Sequence, residues 1–193
     1  MDSTKNAFEF TTLINGIHLH IRASRNAPWE HERVYQPAHL HYAWEAHYVY
    51  EGSVLLRIAE QENATTLLPF LDEFAATRAD RPLLQEELDM TREVLTHYKE
   101  YGMDGILLRI GDRIAAFACG EIIGDTLSVH IEKADTRIAG SYQRIVSAFA
   151  SRYDPVLVPH LNREDDMGEE GLRTSKLSYH PTAILDKWRI KVL

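Results

Sequence analysis

Between Thr126 and Tyr153 the chain reads T-L-S-V-H-I-E-K-A-D-T-R-I-A-G-S-Y-Q-R-I-V-S-A-F-A-S-R-Y, and within it the spacing of the apolar residues changes once. Leu127, Val129 and Ile131 alternate with Ser128, His130 and Glu132, the period of a strand with one buried and one polar face. Tyr142, Ile145, Val146, Phe149, Ala150 and Tyr153 then recur at three- and four-residue steps, the stripe of an amphipathic helix. The change of period puts a strand directly before a helix, and the fold class expected for the chain is α+β. At the handover stands Arg137-Ile-Ala-Gly140-Ser141-Tyr142. Glycine there lets a ligand approach the backbone, and the amides of a helix start attract phosphate. The other reading stays open: Gly140 only turns the chain and Arg137 is a solvated loop charge.

A chain of 193 residues has room for one domain or two small ones. Its formal charge of −8 argues against a broad electropositive surface for nucleic acid. Basic and acidic residues number 7 and 11 before Pro82 and 14 and 18 from there on, so neither part is a basic arm. The single cysteine, Cys119, sits in the apolar run from Ile114, reads as a small buried hydrophobe and excludes a disulfide framework. The opening M-D-S-T-K-N-A-F-E-F lacks the pattern of a secretory signal, and no apolar run approaches the roughly 20 residues of a membrane helix. The expectation is a cytoplasmic protein without DNA or membrane partners.

Phe8 to Ile21 alternates enough for one or two strands, and Arg22 to Pro37 reads as loop. His39, His41, Glu45 and Gly52 follow in the pattern H-x-H-x3-E-x6-G. In a strand His39 and His41 point to one face and Glu45 can join them after a bend, a possible metal-ligand set. The stretch resembles the first half of a cupin barrel, especially the sensor arm of AraC-type regulators. The second cupin motif is missing after Ile58, and no glycine precedes His39. The residues therefore argue against a resident divalent metal and leave a structural or small-ligand role open. Half a barrel has open edges that something must cover. The expectation is pairing with a second copy, hence a homo-oligomer such as a dimer, or docking on the C-terminal sheet. These readings divide the chain into a cupin-like β segment (1–62), a linker (63–81) in which Leu67 to Phe74 allow one or two helical turns, and a C-terminal domain (82–193).

Asp80-Arg-Pro82 opens a helix whose inward face is Leu84, Leu88, Thr91, Leu95 and Tyr98 and which Gly102 ends. Gly111-Asp112 and Gly124-Asp125 separate apolar runs as hairpin turns do. After the Tyr142–Tyr153 helix a fourth strand is expected at Val156-Leu-Val158. Asn162 to Glu170 is a charge run, read mainly as a solvated face. Gly171 to Leu177 reads as a short helix, and Ile184 to Val192 as a strand closing the sheet with Trp188 as packing anchor.

Two blocks, H-I-E-K-A-D-T-R-I-A-G-S-Y-Q and N-R-E-D-D-M-G-E-E-G-L-R-T-S-K-L-S-Y-H-P, resemble the C-terminal acyltransferase-like domain of phosphatidylglycerol lysyltransferases and its soluble relatives. The resemblance covers roughly Pro82 to Ile190 and implies a GNAT-like mixed, mainly antiparallel sheet with flanking helices. It implies that Arg137, Gly140, Ser141 and Tyr142 hold a donor phosphate in an R-x-x-G-x turn, with Tyr142 where a small residue is usual. It also implies that Arg163, Lys176 and Tyr179 bind a second phosphate or stabilise charge. The donor would be coenzyme A, as an acyl thioester, or an aminoacyl-tRNA, and the acceptor an amine or hydroxyl. On the residues alone, His130 and Glu132 are candidate bases on the strand beside the turn, or a hydrogen-bonded pair holding the sheet. A non-catalytic small-molecule sensor and a truncated fusion without activity remain alternatives.

Overall fold

The computed structural model describes residues 7–14, 17–25, 31–35, 52–58, 64–78 and 84–192. His39, His41 and Glu45 lie outside them. In chain order the elements are β1 (Ala7–Ile14), β2 (Ile17–Arg25), β3 (His31–Tyr35), β4 (Ser53–Arg57), α1 (Leu68–Ala76), α2 (Leu84–Thr96), β5 (Asp104–Ile110), β6 (Arg113–Ile123), β7 (Thr126–Ala134), α3 (Ser141–Ala150), β8 (His160–Asn162), α4 (Glu170–Leu177), β9 (Ala183–Asp186) and β10 (Trp188–Val192). They form two compact units, Tyr35–Asn162 and Met1–Val34 with Arg163–Leu193. This division cuts across the expected segments. The stretch expected as a linker carries α1, whose Phe70, Leu71 and Phe74 are buried.

In the central unit β4, β5, β6 and β7 run antiparallel in that order, and β8 joins β7 in parallel. Antiparallel neighbours can be joined by tight turns, whereas the parallel pair requires a crossover, and α3 supplies it. The two turns are Gly111-Asp112 and Gly124-Asp125, with each glycine at positive φ (58° and 65°), as the first position of a two-residue hairpin turn of this hand requires. β4, the end of the stretch read as cupin-like, lies beside β5. The resulting mainly antiparallel sheet with flanking helices is the expected fold class.

Leu84, Leu88, Thr91 and Leu95 are the buried face of α2, and Tyr98, just beyond it, is buried too. With Leu67, Leu71 and Phe74 of the α1 region they pack on Leu107, Phe117, Cys119 and Ile131 of the sheet. The buried side of α3 is Ile145, Val146, Phe149 and Ala150.

Two expectations for this unit need correction. Residues Val156 to Val158 are not a strand, which begins later at His160. The Asp154 carboxylate takes the Val156 amide at 2.8 Å and its carbonyl takes those of Leu157 and Val158, so Asp-Pro winds the chain into a turn that leaves Val156 and Leu157 exposed. The alternation of β7 also breaks. Val129 pairs with Gly120 but Ile131 with Cys119, so His130 is the extra residue of a bulge. Laterally paired residues share a face, so Leu127 and Val129 lie on one side of the sheet and Ile131 and Lys133 on the other. The strand therefore has two largely buried faces, not one buried and one polar.

In the second unit β2 pairs antiparallel with both β1 and β10, and β3 pairs with β9. The expected C-terminal strand exists, but β10 adds to the N-terminal hairpin. Trp188, expected as an anchor, is 43% exposed.

Candidate functional site

The turn after β7 is built on Asp135. Its amide donates to the Ala115 carbonyl at 2.8 Å, which fixes the end of β7 to β6. Its carbonyl accepts from the Ile138 amide at 3.0 Å and the Ser141 hydroxyl at 2.8 Å. Its carboxylate accepts from the Arg137 amide at 3.0 Å, closing an Asx turn. Gly140 follows at φ 75°, a left-handed value that a side chain adopts only with strain, and α3 begins at Ser141. No side chain caps the helix, and Gly140 has none to offer. Among the described residues the amides of Tyr142 and Gln143 therefore present donors at the open end of α3, where the helix dipole is positive.

Arg137 lies over the turn in a two-point ion pair with Asp135, Nε to Oδ1 at 2.8 Å and Nη2 to Oδ2 at 2.7 Å. These hydrogen bonds hold the Asp135 carboxyl below the usual carboxylate range, against the smaller opposing effect of burial, and raise Arg137 in turn. Ser141 is buried. The half-buried Tyr142 aims its phenol at the backbone of Ala134, and burial pushes its pKa up. Beside the turn is a small surface hollow lined by Phe70, Glu73, Phe74, Thr77 and Arg78 of the α1 region with Asp135 and Arg137.

On β7 the bulge presents His130, whose Nε2 is 3.1 Å from Oε1 of Glu121 on β6. Glycine at 120 is obligatory here, since a Cβ would stand 2.1 Å from the Ser128 carbonyl oxygen. Glu132 pairs with Ala118 and is half-buried. The parallel ladder with β8 ends at Ser128 and Asn162, and β7 runs on toward the turn paired with β6. His130, Glu132, Arg137, Gly140, Ser141 and Tyr142 thus belong to one strand, turn and helix start.

Arg163, Lys176 and Tyr179 form a separate cluster in the second unit. Arg163 is buried, with its guanidinium 4.7 Å from the centroid of the buried Tyr179 ring. The Lys176 amine donates to the carbonyls of Arg163 and Asp165. The charge run is not a solvated face. Asp166 is fully buried and takes the Arg173 guanidinium at 2.9 and 3.2 Å, and Asp165 takes Lys187 at 2.8 Å. Glu164, Met167 and His180 adopt positive φ, so this loop and helix hold strained backbone between these ion pairs. Among the described residues no three His, Cys, Asp or Glu side chains converge as metal ligands, and no helix is long and apolar enough to cross a membrane.

Sequence reasoning passed over Asp135 and Glu121 and took Asp166 only as one carboxylate of a charge run. Asp135 was readable as the Asx residue of Asp-x-Arg, whereas Glu121 owes its place to pairing with β7.

An uncharacterized protein of Mycoplasmoides gallisepticum is 26% identical over 149 residues, 75% of this chain and 46% of its own length. A crystal structure of a conserved protein of unknown function from Bacteroides thetaiotaomicron has a TM-score of 0.77 at 26% identity, covering 90% of this chain and 62% of its own. The fold is shared with a C-terminal domain from Agrobacterium fabrum, described as that of a lysylphosphatidylglycerol synthetase, with a TM-score of 0.55 at 12% identity over 89% of this chain and 61% of that one. The chain spans about half the length of the curated relative and about three fifths of the two solved ones. The family model described as phosphatidylglycerol lysyltransferase, C-terminal, matches residues 38–191, a span that includes His39, His41 and Glu45. A match over most of the sequence, together with the strand, glycine turn and helix at its centre, shows that the chain belongs to the phosphatidylglycerol lysyltransferase C-terminal family.

Proposed function

We propose that this acyltransferase-like chain transfers an acyl or aminoacyl group to an amine or hydroxyl, from a donor whose phosphate sits on the first amides of α3. The observation that carries this reading is the uncapped start of α3 behind Gly140, at the end of a strand that β8 leaves after Ser128. In this reading the donor arm runs along β7, with its phosphate at the turn and its carbonyl toward His130. The Tyr142 phenol is turned back toward the backbone of Ala134. His130 takes a proton from the acceptor as its nitrogen or oxygen bonds to the donor carbonyl carbon. The carbon–sulfur or carbon–oxygen bond to the donor breaks, and the proton passes to the departing thiolate or alkoxide. Glu121 holds the imidazole in place through a 3.1 Å contact at Nε2.

The test is a thermal-shift screen with acetyl-coenzyme A, coenzyme A and aminoacyl-tRNA on wild type and Gln143→Glu. A glutamate in the first helical turn favours the helix by a few tenths of a kcal/mol but repels phosphate. The expected result is a ligand-dependent rise in Tm in the wild type, lost in the variant, whose unliganded Tm is equal or higher. A wild type that answers none of the three ligands overturns the proposal. Binding without turnover reassigns the protein as a binding module.

A further inference from the structure

We propose that the β4 edge of the central sheet is an interface with a second copy of this chain, paired antiparallel about a two-fold axis at Leu55. Among the described residues β4 is the outermost strand of its sheet, with β5 as its only neighbour. The Ile58 amide donates to the Gly105 carbonyl at 2.9 Å and the Gly111 amide to the Gly52 carbonyl at 3.4 Å, so the even-numbered residues turn their backbone groups to β5. The amides and carbonyls of Ser53, Leu55 and Arg57 therefore point the other way, out of the sheet edge. Val54 is 43% and Leu55 37% exposed, on opposite faces, so neither layer of helices overhangs the edge. Soluble sheets blunt an open edge with proline, a bulge or a charge turned inward. Ser53-Val-Leu-Leu-Arg57 has none of these, and its one charge, Arg57, is paired with Asp104 at 3.2 Å.

A two-fold at Leu55 makes this edge its own complement. It sets Ser53 opposite Arg57 of the second copy and Leu55 opposite Leu55, so every outward amide meets an outward carbonyl. On one face the two Leu55 side chains become neighbours. On the other, Val54 comes beside Leu56 of the second copy, a residue that packs on the core between the sheet and α2. No like charges stand opposite each other. An unrelated strand would have to match this pattern by its own sequence, whereas a second copy matches it by symmetry. Five residues of edge make less than a standard interface, so the dimer is weak, with a dissociation constant of about 1–100 μM.

Sedimentation velocity of the full chain from about 1 to about 300 μM brackets that constant. The expected result is a rise from the monomer mass toward twice that value. Leu55→Pro removes an outward amide and leaves every bond to β5 in place, so it is expected to stay monomeric with the far-UV spectrum of the wild type. Leu55→Cys tests the register. In a hydrogen-bonded antiparallel pair its two introduced thiols sit on Cα atoms about 5.5 Å apart, within disulfide reach, whereas the same two-fold holds those of Ser53→Cys about 14 Å apart. The native Cys119 is buried and does not compete. Mild oxidation is expected to give a covalent dimer on a non-reducing gel with Leu55→Cys, at least about tenfold faster than with Ser53→Cys. A wild type that stays monomeric throughout overturns the proposal and leaves the edge to a strand of another protein. So does a dimer that Leu55→Pro leaves intact, or equal cross-linking of the two cysteine variants. If Leu55→Pro fails to fold, the cross-linking contrast decides.

Discussion

At the scale of single residues, the chain uses glycine for two different physical reasons, and substitution separates them. Gly124 adopts φ 65° with nothing within 4 Å of where a Cβ would stand, so alanine there meets only backbone strain. Gly120 has no unusual φ, yet its Cβ would meet the Ser128 carbonyl oxygen at 2.1 Å, a clash with backbone that no rotamer relieves. Gly124→Ala is expected to cost about 1–2 kcal/mol and Gly120→Ala about 3 kcal/mol or more, both read from urea denaturation midpoints. Equal losses would mean that β6 and β7 can separate at the bulge at little cost. The turn glycine Gly140 was legible in the sequence because its role is local. Gly120 was not, because the atom that requires it belongs to another strand.

At the scale of elements, α2 docks on β7 through a pair with unequal partners. Lys133 is buried at 6% side-chain exposure and its amine is bonded to Glu87, which is 45% exposed. The amine also lies 5.5 Å from the centroid of the Phe74 ring. Removing the acid leaves a buried cation without its counter-charge, whereas removing the cation leaves a carboxylate that water can solvate. Glu87→Gln is therefore expected to cost about 2 kcal/mol and Lys133→Met less than about 1 kcal/mol, measured by thermal unfolding at fixed pH. The reverse order would place the stabilisation on the acid. The inward face of α2 was readable from its period. The face that Lys133 occupies was not, because one extra residue at His130 reverses the strand between Val129 and Ile131.

At the scale of the whole chain, the two ends meet in one sheet, with β10 lying on β2 from Trp188 with Arg25 to Val192 with Ile21. Truncation after Asp186 is expected to remove hydrogen-exchange protection from the β1–β2 hairpin, since an isolated two-stranded hairpin is marginal in water, while β5 to β7 keep theirs. Unchanged protection in β1 and β2 would show that the hairpin stands without β10. The sequence by itself determined the elements whose signals are local: the hairpin turns at Gly111 and Gly124, the apolar faces of α2 and α3, and the strand, glycine turn and helix from Thr126 to Ala150. The two long blocks also carried enough of the chain to mark its family. Tertiary structure alone decided what depends on residues far apart in the chain. It turned the charge run around Asp166 into buried ion pairs, set Glu121 against His130, and brought Glu73 and Arg113 to the turn that Asp135 and Arg137 close. Charges and strand registers carry no periodic signature, because their energies depend on which partner the fold brings within a few ångströms.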